Sequence, residues 1–81
     1  MKIKVVYFAR YREAMGMDGE ELVGTFATLA DVRQELLERG GNWSVLGESA
    51  VMCARNQDLC KLEEPVADGD EVAFFPPVTG G

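Results

Sequence analysis

The stretch Thr28-Leu29-Ala30-Asp31-Val32-Arg33-Gln34-Glu35-Leu36-Leu37-Glu38-Arg39-Gly40-Gly41 decides the fold. Leu29, Val32 and Leu36 recur at helical spacing, with Leu37 flanking, so one face is apolar. Asp31, Gln34, Glu35 and Glu38 fall on the wetted face. Thr28 is placed to cap the start, with Asp31 three residues on, a partial capping box. Glu35 and Arg39 stand four apart in the order that favours an ion pair. Gly40 and Gly41 end the helix by admitting a left-handed cap. The helix reads as a core-packing device. The alternative, a polar face that meets a partner, has less behind it.

On both sides of this helix the period changes from 3.6 to two. In Lys2 to Phe8, Ile3, Val5 and Tyr7 fall on one side, and Lys2, Lys4, Val6 and Phe8 on the other. The two lysines mark that second side as the wetter. Ala9 to Met15 fits a helical turn closed by Gly16, and Glu20 to Val23 a second strand antiparallel to the first. After the helix, Asn42 to Gly47 carries Trp43, Val45 and Leu46, a short lid over the core with Trp43 as a packing residue. Val51 to Arg55 and Asp58 to Leu62 read as strands around a tight turn at Asn56-Gln57. That turn sets Arg55 opposite Asp58 and Cys53 opposite Cys60. The cysteines then form a hydrogen-bonded pair with Cα atoms about 5.5 Å apart, within bridging range. Ala54 and Leu59 point to the opposite face. Glu63 to Gly69 is a loop with Pro65 and the turn signal Asp68-Gly69. In the last strand, Asp70 to Phe75, Val72 and Phe74 face the core, and Glu71, Ala73 and Phe75 do not. Pro76-Pro77 then stops the pairing, because proline has no amide donor.

Strand, strand, helix, strand, strand, strand is an α+β order. It predicts one mixed sheet of about five strands with one main helix on one face. The terminal strands can pair in parallel at the centre, since the helix supplies a long crossover. Residues 1–77 form the domain, and 78–81 an extended, flexible tail.

Composition narrows the function. The chain has 81 residues, enough for one domain with a small core. Fourteen acidic residues against eight basic give a net charge of −6, which disfavours nucleic acid and anionic membrane as partners. There is no histidine, so the commonest general base and zinc ligand are missing. Two cysteines fall short of the four that usually hold an iron–sulfur cluster. No metal and no bound cofactor are expected. The early apolar run Val5 to Ala9 is too short for a signal core or a membrane span. A cytoplasmic protein is expected, with Cys53 and Cys60 as free thiols and small core residues. The rival reading makes them a sulfur source, for which a thiol needs an electropositive, accessible site. Glu63, Glu64, Asp68, Asp70 and Glu71 form an acidic cluster near the tail, expected to be solvated surface rather than a docking site for a basic partner.

The tail is the informative segment. It leaves the last strand at Phe75, is stiffened by two prolines and ends Val78-Thr79-Gly80-Gly81. Read blandly, it is a frayed end. Read chemically, glycine has no Cβ, so the last peptide units fit a narrow tunnel, and the terminal carboxylate is unhindered. ATP activates a carboxylate as an acyl-adenylate. This chain has no phosphate-binding glycine loop, so another protein must supply that step.

The run Asp68-Gly69-Asp70-Glu71-Val72-Ala73-Phe74-Phe75-Pro76-Pro77-Val78-Thr79-Gly80-Gly81 resembles the ubiquitin-like β-grasp sulfur carriers, and among them the molybdopterin synthase small subunits. The Phe-Phe-Pro-Pro-Val part is the more specific. Length, the first strand, Trp43 after the helix and the Asn56-Gln57 turn extend the likeness along nearly the whole chain. The resemblance implies that a ubiquitin-activating-type adenylyltransferase uses ATP to adenylate the carboxylate of Gly81. A persulfide sulfur then replaces AMP, leaving a thiocarboxylate. Gly80 would permit insertion into the large synthase subunit, with Val78 and Thr79 lining the tunnel. Sulfur would pass to cyclic pyranopterin monophosphate to build the dithiolene, in an assembly of two small and two large subunits. The small subunit would have no turnover alone. The resemblance also implies an apolar docking patch. Phe8, Leu59 and Phe75 share the face opposite the expected core, as interface anchors would; ordinary packing under a loop is the alternative. Carriers for thiamine or tRNA thiolation, a ubiquitin-like modifier and a binding domain with an inert tail remain alternatives.

Overall fold

The computed structural model describes residues 1–77. The elements are β1 (Lys2–Tyr7), α1 (Ala9–Met15), β2 (Gly19–Val23), α2 (Leu29–Leu37), a 3-10 helix (Gly41–Gly47), β3 (Met52–Arg55), β4 (Asp58–Cys60) and β5 (Glu71–Phe75). They build a five-stranded sheet in the order β2-β1-β5-β3-β4. β1 and β5 pair in parallel at its centre, and the neighbouring pairs are antiparallel. This is the mixed five-stranded sheet expected from the element order, and the β-grasp architecture that the resemblance implies.

Alternation decides which face of the sheet is covered. Ile3 and Val5 of β1 and Val72 and Phe74 of β5 are fully buried against Leu29, Val32 and Leu36 of α2 and Leu46 of the 3-10 helix. The core also takes Tyr11, Phe26 and Val66 from segments whose sequence has no clear period. Gly16 caps α1 in the left-handed conformation. α2 ends on Glu38 in the right-handed one, so the left-handed cap expected at Gly40 and Gly41 is not what stops it. Their positive φ leads the chain into the 3-10 helix.

The N-terminus of α2 shows why β4 is shorter than its sequence suggests. An α-helix begins with amides that have no partner inside it. Here the Asp31 carboxylate accepts the N–H groups of Ala27 and Thr28, at 2.8 and 3.3 Å. The N–H groups of Leu29 and Ala30 donate to the carbonyls of Glu64 and Leu62, at 3.0 and 2.8 Å. The expected strand to Leu62 therefore stops at Cys60, because the backbone beyond it serves the helix.

A second correction concerns Arg39. It does not pair with Glu35 but reaches Glu20 on β2, at 2.8 Å. Glu20 also accepts the Tyr7 hydroxyl at 2.8 Å, and the Trp43 indole N–H donates to Tyr7 Oη at 3.3 Å. The Arg39 guanidinium lies over the Trp43 ring, 5.0 Å from its centre. Burial pushes the Glu20 carboxyl up, but Arg39 and Tyr7 outweigh it and hold the carboxyl below its usual range. Burial pushes the Tyr7 hydroxyl well up, so it remains a neutral donor. A two-sided, half-buried contact with ring stacking outcompetes an exposed pair along one helix.

Candidate functional site

The parallel pairing of β1 and β5 places their C-terminal ends side by side. Tyr7 is the partner of Phe74, so Phe8 and Phe75 follow together. Their rings meet edge to face at 6.5 Å and 78°. Pro76 and Pro77 continue from this point. Ala9, next to Phe8, has φ +53°, a left-handed conformation that is unfavourable for alanine. It turns the chain from β1 into α1, and the Phe8 carbonyl accepts the N–H groups of Tyr11 and Arg12 at 3.1 and 3.3 Å.

Among the described residues, no helix covers the outer face of the sheet. Across it runs a row set by register: Leu59 pairs with Ala54, Ala54 with Ala73, and Ala73 with Val6. Small side chains in the middle and large ones around them leave a depression of about 290 Å³, lined by Phe8, Ala54, Gln57, Leu59, Glu71, Ala73 and Phe75. Phe8 is 46% exposed and Leu59 66%, while Phe75 is half-buried. The structure thus brings Phe8, Leu59 and Phe75 together around one concave, largely apolar surface. Ala54 and Ala73 correct the expectation that this face holds no core: both are buried, at 8% and 7% exposure. Strand parity had placed them on this face. Their size, which makes the floor, was the missed signal. Val78, Thr79, Gly80 and Gly81 lie outside the described residues.

The acidic cluster lies at the start of β5, away from Phe75 where the strand ends, and is not simply solvated. Glu71 opens β5 and Phe75 ends it, a separation of about 13 Å along a strand. Asp70 is buried at the far end. Its carboxylate accepts Arg55 Nε at 2.7 Å, the Ala67 amide at 2.8 Å and the Asn56 side-chain amide at 3.1 Å. Asn56 and Gln57 have φ of +50° and +72° and form the tight hairpin turn. The Asn56 N–H and side-chain oxygen bond the Glu71 carbonyl and amide at 2.8 and 2.9 Å. Arg55, the Ala67 amide and Asn56 together hold the Asp70 carboxyl below its ordinary range. Asp68 accepts the Lys2 amide at 2.6 Å, and Glu64 meets Arg55 at 3.3 Å. These carboxylates tie the β3–β4 turn and the loop before β5 to the sheet.

Cys53 and Cys60 are free and directly opposite in register. Burial pushes the Cys53 thiol up to about 12 and also raises Cys60. Cys60 is only partly buried, because β4 is an edge strand. Neither thiol has the electropositive setting of a reactive sulfur donor. Among the described residues, no group of three His, Cys, Asp or Glu side chains could hold a metal ion. Nor is any helix among them long and apolar enough to cross a membrane.

The ThiS family model matches residues 5–81. The chain belongs to the ThiS family. It is 44% identical over 80 residues to the molybdopterin synthase sulfur carrier subunit of Escherichia coli, covering 98% of this chain and 99% of that one. Among solved structures, small archaeal modifier protein 1 of Haloferax volcanii superimposes with a TM-score of 0.77 at 29% identity, over the full length of both chains. Subunits 1 and 2 of the molybdopterin-converting factor from Helicobacter pylori have been solved as a complex. This chain matches one chain of that structure with a TM-score of 0.70 at 28% identity, covering 100% of this chain and 100% of that one.

Proposed function

We propose that this ThiS-family chain is the sulfur-carrier subunit of a molybdopterin synthase. One observation carries the reading: the chain leaves the sheet at Phe75 beside an uncovered apolar depression. A partner that covers the outer face through Phe8, Leu59 and Phe75 would receive residues 78–81 at the edge of the same contact. The complex of the two Helicobacter pylori subunits and the relative in Escherichia coli support the large synthase subunit as that partner.

The chemistry resides on Gly81. A ubiquitin-activating-type adenylyltransferase brings the carboxylate of Gly81 onto the α-phosphorus of ATP, and pyrophosphate leaves. A persulfide sulfur attacks the acyl carbon and AMP leaves. A second thiol of the donor attacks the donor's own sulfur in the resulting acyl disulfide, forms a disulfide with it and releases the thiocarboxylate. Gly80 lets the end enter the large subunit, with Val78 and Thr79 in its tunnel. Sulfur is then donated to cyclic pyranopterin monophosphate on the way to the molybdopterin dithiolene, in a heterotetramer of two small and two large subunits. The chain binds no cofactor itself, and the ATP belongs to the activating enzyme.

Mass analysis with fragmentation after incubation with the activating enzyme, ATP and a sulfur donor tests this. Sulfur in place of one oxygen on Gly81 is expected, and deletion of Gly80 and Gly81 should abolish it without loss of fold. A carboxylate that stays unmodified under those conditions would overturn the reading. The likeness to the Haloferax volcanii modifier keeps one second reading, attachment to target lysines. Covalent conjugates that disappear with the same deletion, together with a Gly81 that never carries sulfur, would favour it.

A further inference from the structure

Cys53 and Cys60 occupy the hydrogen-bonded cross-strand position of a hairpin with a two-residue turn. Cα atoms at such a position are about 5.5 Å apart, inside the range a disulfide spans. The Cys53 sulfur already leans toward β4, 3.4 Å from the Cys60 carbonyl oxygen. Both side chains line an open groove of about 480 Å³ between the start of β3 and the segment after β4, with Val51, Met52, Leu59 and Leu62. Cys60 is partly exposed on this groove, whereas Cys53 is only 2% exposed, so an oxidant meets Cys60 first.

We propose that Cys53 and Cys60 form a reversible redox site, closed to a disulfide by a low-molecular-weight disulfide such as oxidised glutathione. The reaction is two thiol–disulfide exchanges. The Cys60 thiolate, the more accessible, attacks one sulfur of the oxidant. The oxidant's S–S bond breaks, a mixed disulfide forms, and one glutathione leaves and takes up the proton that Cys60 lost. The Cys53 thiolate then attacks the Cys60 sulfur and expels the second glutathione, which takes up the proton of Cys53. Two protein thiols are oxidised by two electrons, and one glutathione disulfide is reduced to two thiols. Burial makes the first exchange slow, and register makes the second intramolecular.

The consequence falls on the outer face. Leu59 adjoins Cys60 in a strand of only three residues and pairs with Ala54, the neighbour of Cys53. The cross-link fixes this edge strand, and with it the position from which Leu59 is presented.

The full chain, equilibrated with oxidised glutathione, tests the site by thiol titration, intact mass and amide exchange. The expected product is lighter by two hydrogen atoms and has no free thiol. Its β4 amides exchange at least about tenfold more slowly, as a cross-linked hairpin opens less often. Cys53→Ala should stop at a single glutathione adduct on Cys60, and Cys60→Ala should leave Cys53 reduced. A wild-type chain that keeps both thiols, accumulates the adduct or forms cross-linked dimers would overturn the proposal. So would a disulfide that leaves exchange unchanged. The experiment needs neither Gly81 nor any partner, so its failure leaves the sulfur-carrier reading standing.

Discussion

The two faces of the central strands follow the same alternation and meet opposite fates. On the inner face, Val72 and Phe74 of β5 are fully buried beneath α2 and the 3-10 helix. On the outer face, the adjacent Ala73 and Phe75 form part of a depression ringed by Phe8 and Leu59. One residue of register separates a group that holds the fold from a group free to meet a partner. The difference teaches that a small domain with one main helix can cover only one face of its sheet. The other face is then available for recognition, provided that small residues form its floor.

Three measurements can break or sharpen this contrast, ordered by their expected effect on unfolding free energy. Phe74→Ala should cost most, about 3–5 kcal/mol, because the fully buried ring leaves a cavity in a close-packed core. Denaturant unfolding checks this, and a loss below about 1 kcal/mol would break the assignment of the inner face as the stabilising one.

Asp70→Asn comes next, at about 1–3 kcal/mol, because Arg55, Ala67 and Asn56 lose a charged acceptor. Its pH dependence follows from the depressed folded-state pKa, whose leading cause is Arg55. Such a group stabilises the fold above its unfolded pKa. That contribution is lost as the pH falls from the ordinary carboxylate range through the lower folded value. Wild type should therefore lose stability in that acid window, and Asp70→Asn should lose less. Parallel pH–stability curves would show that the Asp70 network does not set the acid limb.

Phe75→Asp should have the smallest effect on stability, within about 1 kcal/mol, since the ring is half-buried on the outer face. Its effect should appear in binding. Loss of an aromatic anchor should weaken association with a molybdopterin synthase large subunit at least about tenfold. Calorimetry or surface binding measures this, and equal affinity would separate the depression from partner recognition.

Much of this was legible because it depends on neighbours close in sequence. Helical spacing in Leu29, Val32 and Leu36 announced α2, and alternation in Lys2 to Phe8 announced β1 and its two faces. The Asn56-Gln57 turn was sufficient to place Cys53 opposite Cys60, because a two-residue loop leaves no freedom of register. Parity placed Phe8, Leu59 and Phe75 together on the outer face. Less legible were groups whose partners are distant in the chain. Arg39 has an attractive neighbour in Glu35, yet the fold offers Glu20, Tyr7 and Trp43 from three other elements. Asp70 looks like one more surface carboxylate until the hairpin brings Arg55 and Asn56 to it. Phe26 and Val66 enter the core from segments with no period to read.

The sequence by itself therefore determined most of the elements and their two faces. Those follow from backbone periodicity and turn stereochemistry. Only the tertiary structure decided that Ala54 and Ala73 floor a concave patch, that Asp70 ties the turn to the sheet and that β4 ends at Cys60. Each depends on which groups reach an unsatisfied donor, acceptor or gap first. That competition is settled in three dimensions, among residues that the chain order keeps apart.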